Sequence, residues 1–191
     1  MAVIGLKNPI YSKYAETNGT ITYNSGKVMA KAIKADLSID IADAILYADD
    51  GAAESVKQFS KGTIALQVDD LEDEVKADLY GHKLVNAEIE GDSTTKMLVA
   101  GGGDTGAYVG VGFYASRVVQ GVIKYRAIWL TKVQFGIPAE SYETKGEKVS
   151  FQTPTTTGTI MLNSEGDWKK EVTVDTEATA RVWLNSMANI A

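Results

Sequence analysis

Few side chains in this sequence are equipped for catalysis. His82 is the single histidine and cysteine is absent, so disulfides, thiolate zinc sites, iron–sulfur clusters and cysteine nucleophiles are excluded together. A multi-histidine metal centre is excluded with them, and any imidazole mechanism must run through His82. That residue directly follows Gly81 at the end of an expected helix, where a polar or cationic cap is the ordinary use of histidine. A serine triad through it would need Ser and Asp brought in by folding, and no G-x-S-x-G elbow occurs.

Three further patterns touch on ligand chemistry. Gly101-Gly102-Gly103-Asp104-Thr105-Gly106 satisfies the dinucleotide fingerprint G-x-G-x-x-G. Such a site needs a helix directly after the glycines, because the helix N-terminus holds the pyrophosphate. Here Ala107–Tyr114 is glycine-broken and aromatic, a strand signature, and no Asp or Glu stands between Asp104 and Glu140 to take a ribose. The expectation is a mobile loop between strands. Gly26-Lys27 resembles the end of a phosphate-binding loop, but Ile21 occupies its first glycine position and Val28 replaces Ser or Thr. The acids of Asp69–Glu74 could in principle ligate calcium, yet they lack the spaced loop of calcium sites, and a helix dipole alone favours acids there. The residues thus predict no cofactor, no metal and no enzyme.

Composition sets the frame around these residues. With 191 residues, 45% of them apolar, the chain can bury a real core as one domain. A net charge of −6 argues against a surface that neutralises many phosphates of a duplex. No run approaches the ~18 apolar residues of a membrane span. The opening, Met1–Pro9, lacks the basic lead-in and apolar run of a secretory signal, so synthesis in a cytoplasm is expected. Val, Ile and Thr make up about a quarter of the chain, a strand-rich usage.

Periodicity then places the elements. Residues 1–30 hold short apolar pieces parted by Lys7-Asn8-Pro9, Asn18-Gly19 and Asn24-Ser25-Gly26, which read as turns. This stretch reads as an N-terminal arm or weak hairpin. Ile33, Ala35, Leu37, Ile39 and Ile41 alternate strictly with polar residues, predicting a long half-buried strand. Asp49-Asp50-Gly51 and Ser60-Lys61-Gly62 mark turns, and Ile64, Leu66 and Val68 mark a second strand. Leu71, Val75 and Leu79 lie four apart, with Asp69 or Asp70 as cap and Gly81 as stop, predicting a helix of about ten residues. Strand patterns follow at Leu84–Glu90, Lys96–Ala100, Tyr108–Ala115, Gly121–Val133, Glu147–Phe151, Thr157–Leu162 and Trp168–Val174. A closing helix is expected from Asp175, with Ala178, Val182 and Met187 on its apolar side. The fold class is mainly β: a sandwich or barrel with one or two flanking helices.

Two stretches carry a resemblance. Gly5-Leu6-Lys7-Asn8-Pro9-Ile10-Tyr11 opens the chain. A longer run holds Val109-Gly-Val-Gly-Phe-Tyr114, Ala127-Ile-Trp129-Leu130, Lys132-Val133, Phe135 and Pro138-Ala-Glu140. It continues through Thr144-Lys-Gly-Glu147, Phe151-Gln-Thr-Pro-Thr155 and Gly158-Thr-Ile-Met161, with Trp168-Lys169 and the terminal helix beyond. These resemble the major tail proteins, the tail tube subunits of long-tailed phages infecting Gram-positive bacteria. The segment from about Asp49 to Asp104 is placed only by order and pattern.

The resemblance implies a structural virion protein with two sheets packed at an angle. Its subunits assemble into hexameric rings that stack into the tube conducting DNA during ejection. Partners would be copies of itself, with tail terminator, tape measure and distal tail proteins, and DNA would pass through the lumen without specific binding. Residues 31–191 form the tail tube domain, with no immunoglobulin-like extension expected, and residues 1–30 the assembly arm. In this reading Val3, Ile4, Leu6, Ile10 and Tyr11 are anchors that order only against a neighbouring subunit. Deleting residues 2–12 should then spare the β-domain and abolish tubes. Asp36, Asp40, Glu88 and Glu90 are candidate lumen-facing acids, repelling the DNA that passes. A competing reading is a β-sandwich module presenting Tyr and Trp to a carbohydrate or cell-surface ligand.

Overall fold

The computed structural model describes residues 3–48, 51–142, 144 and 153–190, with side chains at 4–44, 55–142, 144 and 153–190. These residues form ten strands and two helices. In chain order they are β1 (Val3–Thr17), β2 (Thr20–Val28), β3 (Ala32–Ala48), β4 (Gly51–Val68), α1 (Asp73–Tyr80), β5 (Lys83–Asn86) and β6 (Lys96–Val99). There follow β7 (Tyr108–Val119), β8 (Val122–Phe135), β9 (Thr155–Met161), β10 (Lys169–Val174) and α2 (Glu177–Ala188). Eight strands make one antiparallel sheet in the order β2-β1-β7-β8-β9-β4-β3, while β5 and β6 pair separately. The sheet forks at β8. Its residues Tyr125–Leu130 pair with β10, and Lys132–Phe135 pair with β9.

Both faces of the sheet's centre are covered, which is why β7 and β8 read as dense apolar runs. Val109, Val111 and Phe113 of β7 point into the larger core with Leu130, Val133 and Phe135 of β8, Ile64 and Leu66 of β4, and Leu71, Val75 and Leu79 around α1. The alternate residues point the other way, where Ile10, Tyr114, Ala127 and Trp129 meet Ala180, Leu184 and Ala188 of α2. Gly110 and Gly112 lie beneath the Trp129 ring, and the absence of a side chain at each leaves the indole room to lie across β7. Tyr23 meets that ring edge-on, with centroids 5.1 Å apart. The mainly β class is as expected from the alternation, and it is built on one large antiparallel sheet beside a two-stranded one.

The N-terminal thirty residues are the largest departure from expectation. They do form a hairpin, turning at Asn18-Gly19 with both residues at positive φ. However, β1 is not an arm: it lies inside the sheet between β2 and β7, and Ile10 and Tyr11 are fully buried. Full burial of two such side chains contributes about 1.5–3 kcal/mol each, so this segment folds with its own domain. Leu6 is half-buried against the same core, Ile4 is exposed, and the side chain of Val3 lies outside the described residues. Three expected turns are bulges within strands, one of them Ser60-Lys61-Gly62 inside β4, where the pairing with β3 shifts register between Asp40 and Ile41. Asn8 at φ 55° interrupts the β1–β7 register, and Ser25 at φ 56° sits opposite the shift between Tyr11 and Lys13. Asn and Gly tolerate left-handed backbone in either setting, so the same residues serve a bulge or a turn.

The helices follow their signals in part. Leu71, Val75 and Leu79 are buried and Gly81 closes α1 in the left-handed conformation at φ 77°. The N-cap is Glu72 and makes no side-chain cap. Asp69 instead accepts the Lys31 amide at 2.9 Å, and Asp70 accepts the Leu71 amide at 2.8 Å, tying the turn into α1 to the start of β3. In α2 the expected face is wrong in phase. Ala180, Leu184 and Ala188 are buried, with Trp183 and Met187 beside them, whereas Ala178 is exposed and Val182 is 69% exposed. Thr176, not Asp175, caps it by accepting the Thr179 amide. The expected strand Leu84–Glu90 stops at Asn86, and Glu147–Phe151 lies outside the described residues.

A polar tie joins the hairpin to α1. Tyr11 donates its hydroxyl to Asp78 at 2.8 Å, and the Lys13 ammonium lies 2.7 Å from the other carboxylate oxygen. Burial pushes the Asp78 carboxyl up, but the hydrogen bonds and charges of Lys13 and Tyr11 outweigh it and hold it below its ordinary 3.8. With a native value below the unfolded one, its stabilisation is complete above 3.8 and is lost as pH falls through the native value. Asp78→Asn should therefore cost about 1–2 kcal/mol near neutrality. The gap from wild type should shrink in acid, as denaturant melts at pH 7 and pH 3 will read. A gap equal at both pH values would mean that charge is not what the substitution removes.

Candidate assembly surface

A row of exposed apolar residues lies on the β3–β4 ribbon. These strands are 17 and 18 residues long and pair from Ala32↔Val68 to Ala48↔Gly51. β9 accompanies β4 only over Gly62–Gln67, so the outer half of the ribbon has no third strand among the described residues. Where the ribbon leaves the body, Phe59 stacks on Trp168 with centroids 5.0 Å apart and planes at 7°. The apolar face of β3 was expected to be buried along its length. It is covered only in part: Ala35 and Ile39 rest against the core, while Ile33, Leu37 and Ile41 are 50%, 37% and 59% exposed. Val56 of β4 is half exposed as well.

Among the described residues β3 also ends the sheet, and its outer edge has no neighbouring strand there alongside that apolar row. A long edge strand carrying exposed isoleucines is an assembly site or an aggregation hazard, and nothing along it blunts pairing with a proline or a short length. Alternation in the sequence identified these residues as needing cover. It could not say whether the cover belongs to the same chain.

The candidate lumen acids do not form one surface. Asp36 and Asp40 sit on β3, each beside a lysine: Lys34 at 2.6 Å from Asp36 and Lys61 at 3.7 Å from Asp40. Asp43 pairs likewise with Lys57 at 3.4 Å. The exposed face of the ribbon is thus a row of mixed charge. Such exposed pairs contribute little stability in solvent. Glu88 and Glu90 lie elsewhere, in the turn that joins β5 to β6, and both are exposed.

The residues that first invited a chemical reading have structural partners. His82 Nδ1 lies 2.9 Å from Asp104 Oδ2, and both side chains are largely buried. The same carboxylate oxygen accepts the Gly101 amide at 2.7 Å, and these bonds hold the Asp104 carboxyl below its ordinary range. Thr105 packs on Gly81 and Gly106 on the carbonyls of Leu79 and Phe135, positions that a Cβ would fill. The glycine fingerprint is therefore a fastened crossing from β6 to β7, held to the end of α1 rather than swinging free, and a strand follows it where a nucleotide site needs a helix. Among the described residues, no group of three or more His, Asp or Glu is arranged to hold a metal ion. Among the described residues, no helix is long and apolar enough to cross a membrane. Compared with protein-family models and with curated proteins, the chain matches none.

Proposed function

We propose that this chain is a structural, polymerising subunit: a tail tube protein that closes into hexameric rings and stacks into a DNA-conducting tube. The observation that carries the reading is the edge of β3, which no strand among the described residues pairs, with Ile33, Leu37 and Ile41 exposed along it. Pairing that edge with a neighbouring subunit would satisfy its backbone groups and cover its apolar row at once, and closure of a ring removes every free edge. The sequence resemblance supplies the ring and the tube. In this role the protein belongs to the virion tail, meets terminator, tape measure and distal tail proteins at its ends, and performs no chemistry on the DNA it conducts.

Negative-stain electron microscopy and sedimentation velocity of the purified protein test the proposal. Rings or tubes that grow with concentration are expected. Ile33→Lys with Ile41→Lys should leave the domain folded, since both side chains are already in water, yet reduce the assemblies to monomers. A wild-type protein that stays monomeric up to high concentration would overturn the reading.

A further inference from the structure

Two surfaces at opposite ends of β7 are complementary in charge and alike in exposed apolar area. The first is the flap made by β5, β6 and their turn. Residues 87–95, Ala-Glu-Ile-Glu-Gly-Asp-Ser-Thr-Thr, carry three acids and no cation. Asp92 is committed to the turn, accepting the Thr94 amide at 2.8 Å, whereas Glu88 and Glu90 take part in no ion pair among the described residues. Val85, Ile89, Met97 and Val99 are exposed beside them at 39%, 53%, 48% and 39%.

The second surface is the β7–β8 tip, turning at Gln120-Gly121 with both residues at positive φ. Arg117 pairs in register with Lys124, and Arg126 lies two residues farther along the same face of β8. Like charges directly opposite in a ladder are destabilising unless something answers them. Within the chain, Glu171 feels the charge of both arginines, and Asp175 lies 2.9 Å from Lys124. The Arg126 Nε is buried with no hydrogen-bond partner. Residues 105–139 contain no acid at all. Ile4, Val122 and Ile123 are more than half exposed around this tip.

The flap cannot meet the tip of its own chain. It hangs from the end of β7 where Gly81 packs on Thr105, and the nine residues from His82 to Glu90 reach at most about 32 Å. The tip lies at the far end of a 12-residue strand, roughly 36 Å away. We infer that the acidic flap of one copy docks on the cationic β7–β8 tip of the next copy, forming a head-to-tail contact. This rests on the polymerising-subunit reading and assigns its axial contact. Two different surfaces in a non-closing contact generate a filament rather than a dimer, and charge pairing fixes its polarity.

Reciprocal charge reversal tests it. Variant one carries Glu88→Lys and Glu90→Lys; variant two carries Arg117→Glu and Lys124→Glu. Each alone should need about a hundredfold higher concentration to form filaments, because like charges then meet at every junction. An equimolar mixture should assemble, since each variant's flap then opposes the other's tip with opposite sign, and a chain carrying all four changes should assemble alone. Wild-type assembly should weaken with added salt. Circular dichroism establishes that the variants fold, and Glu88→Gln with Glu90→Gln gives a milder arm of the same test. Tubes from both single-surface variants at wild-type concentration would overturn the contact while leaving the tube reading standing. Loss of tubes without rescue in the mixture overturns the contact too. A wild-type protein that never polymerises removes both.

Discussion

Deleting residues 3–12 should leave a chain with no cooperative unfolding transition. The deletion removes the ladder that β1 shares with β7 from Val3↔Arg117 to Ser12↔Gly110, exposing the middle of the sheet rather than trimming its margin. It also removes Ile10 and Tyr11, which are fully buried on opposite faces of that sheet, and with Tyr11 the hydroxyl that holds Asp78 of α1. Two large cavities of this kind cost about 2–5 kcal/mol each, against a total stability of about 5–15 kcal/mol for a domain. Thermal melts followed by near-ultraviolet circular dichroism should show loss of fixed aromatic packing. A truncated protein with a sharp transition within a few degrees of the full chain would mean that β1 is an appendage after all.

Gly110→Ala is expected to damage this protein severely through a single added methyl. A Cβ at residue 110 would fall inside contact distance of the Trp129 and Tyr23 rings, and one at Gly112 would lie 2.7 Å from Trp129 and 2.9 Å from Leu184. Neither aromatic ring can yield at a flexible end, because Trp129 is fully buried and Tyr23 is pinned by its hydrogen bond to the Thr131 carbonyl at 2.8 Å. Overpacking of this kind costs about 1–3 kcal/mol, and a rigid neighbour on each side argues for the upper end. Chemical denaturation reads the loss. The clash also predicts coupling: Trp129→Leu should recover part of the stability lost by Gly110→Ala, and two strictly additive losses would show that the ring is not the obstacle.

The exposed tip and the exposed edge bear on function in different directions. In the proposed assembly, lateral closure through β3 would be an apolar and backbone-driven contact that salt should strengthen or leave alone. The proposed axial docking of the flap on the tip would be a charge-driven contact that salt should weaken. If both proposals hold, high salt should leave isolated rings without tubes.

The residues by themselves determined the material of this fold. Alternation placed the first half of β3, the inner half of β4, β6, β7, β8 and β9 to within a few residues, because a strand with one buried face must alternate whatever tertiary structure surrounds it. Leu71, Val75 and Leu79 placed α1 for the same reason at helical period. The poor setting of the glycine fingerprint was also legible, since β7 follows the loop where a nucleotide site needs a helix. Tertiary structure decided the rest. Asn8 and Ser25 lie within strands because a neighbouring strand continues past them, and positive φ alone does not separate a bulge from a turn. The phase of α2 was set by its seat over Trp129: Ala180, Leu184 and Ala188 fit there, and the more apolar Val182 is left in water. Ile33, Leu37 and Ile41 asked for a buried face and were denied one within the chain, because hydrophobic pattern encodes the need for cover and carries no record of which molecule supplies it.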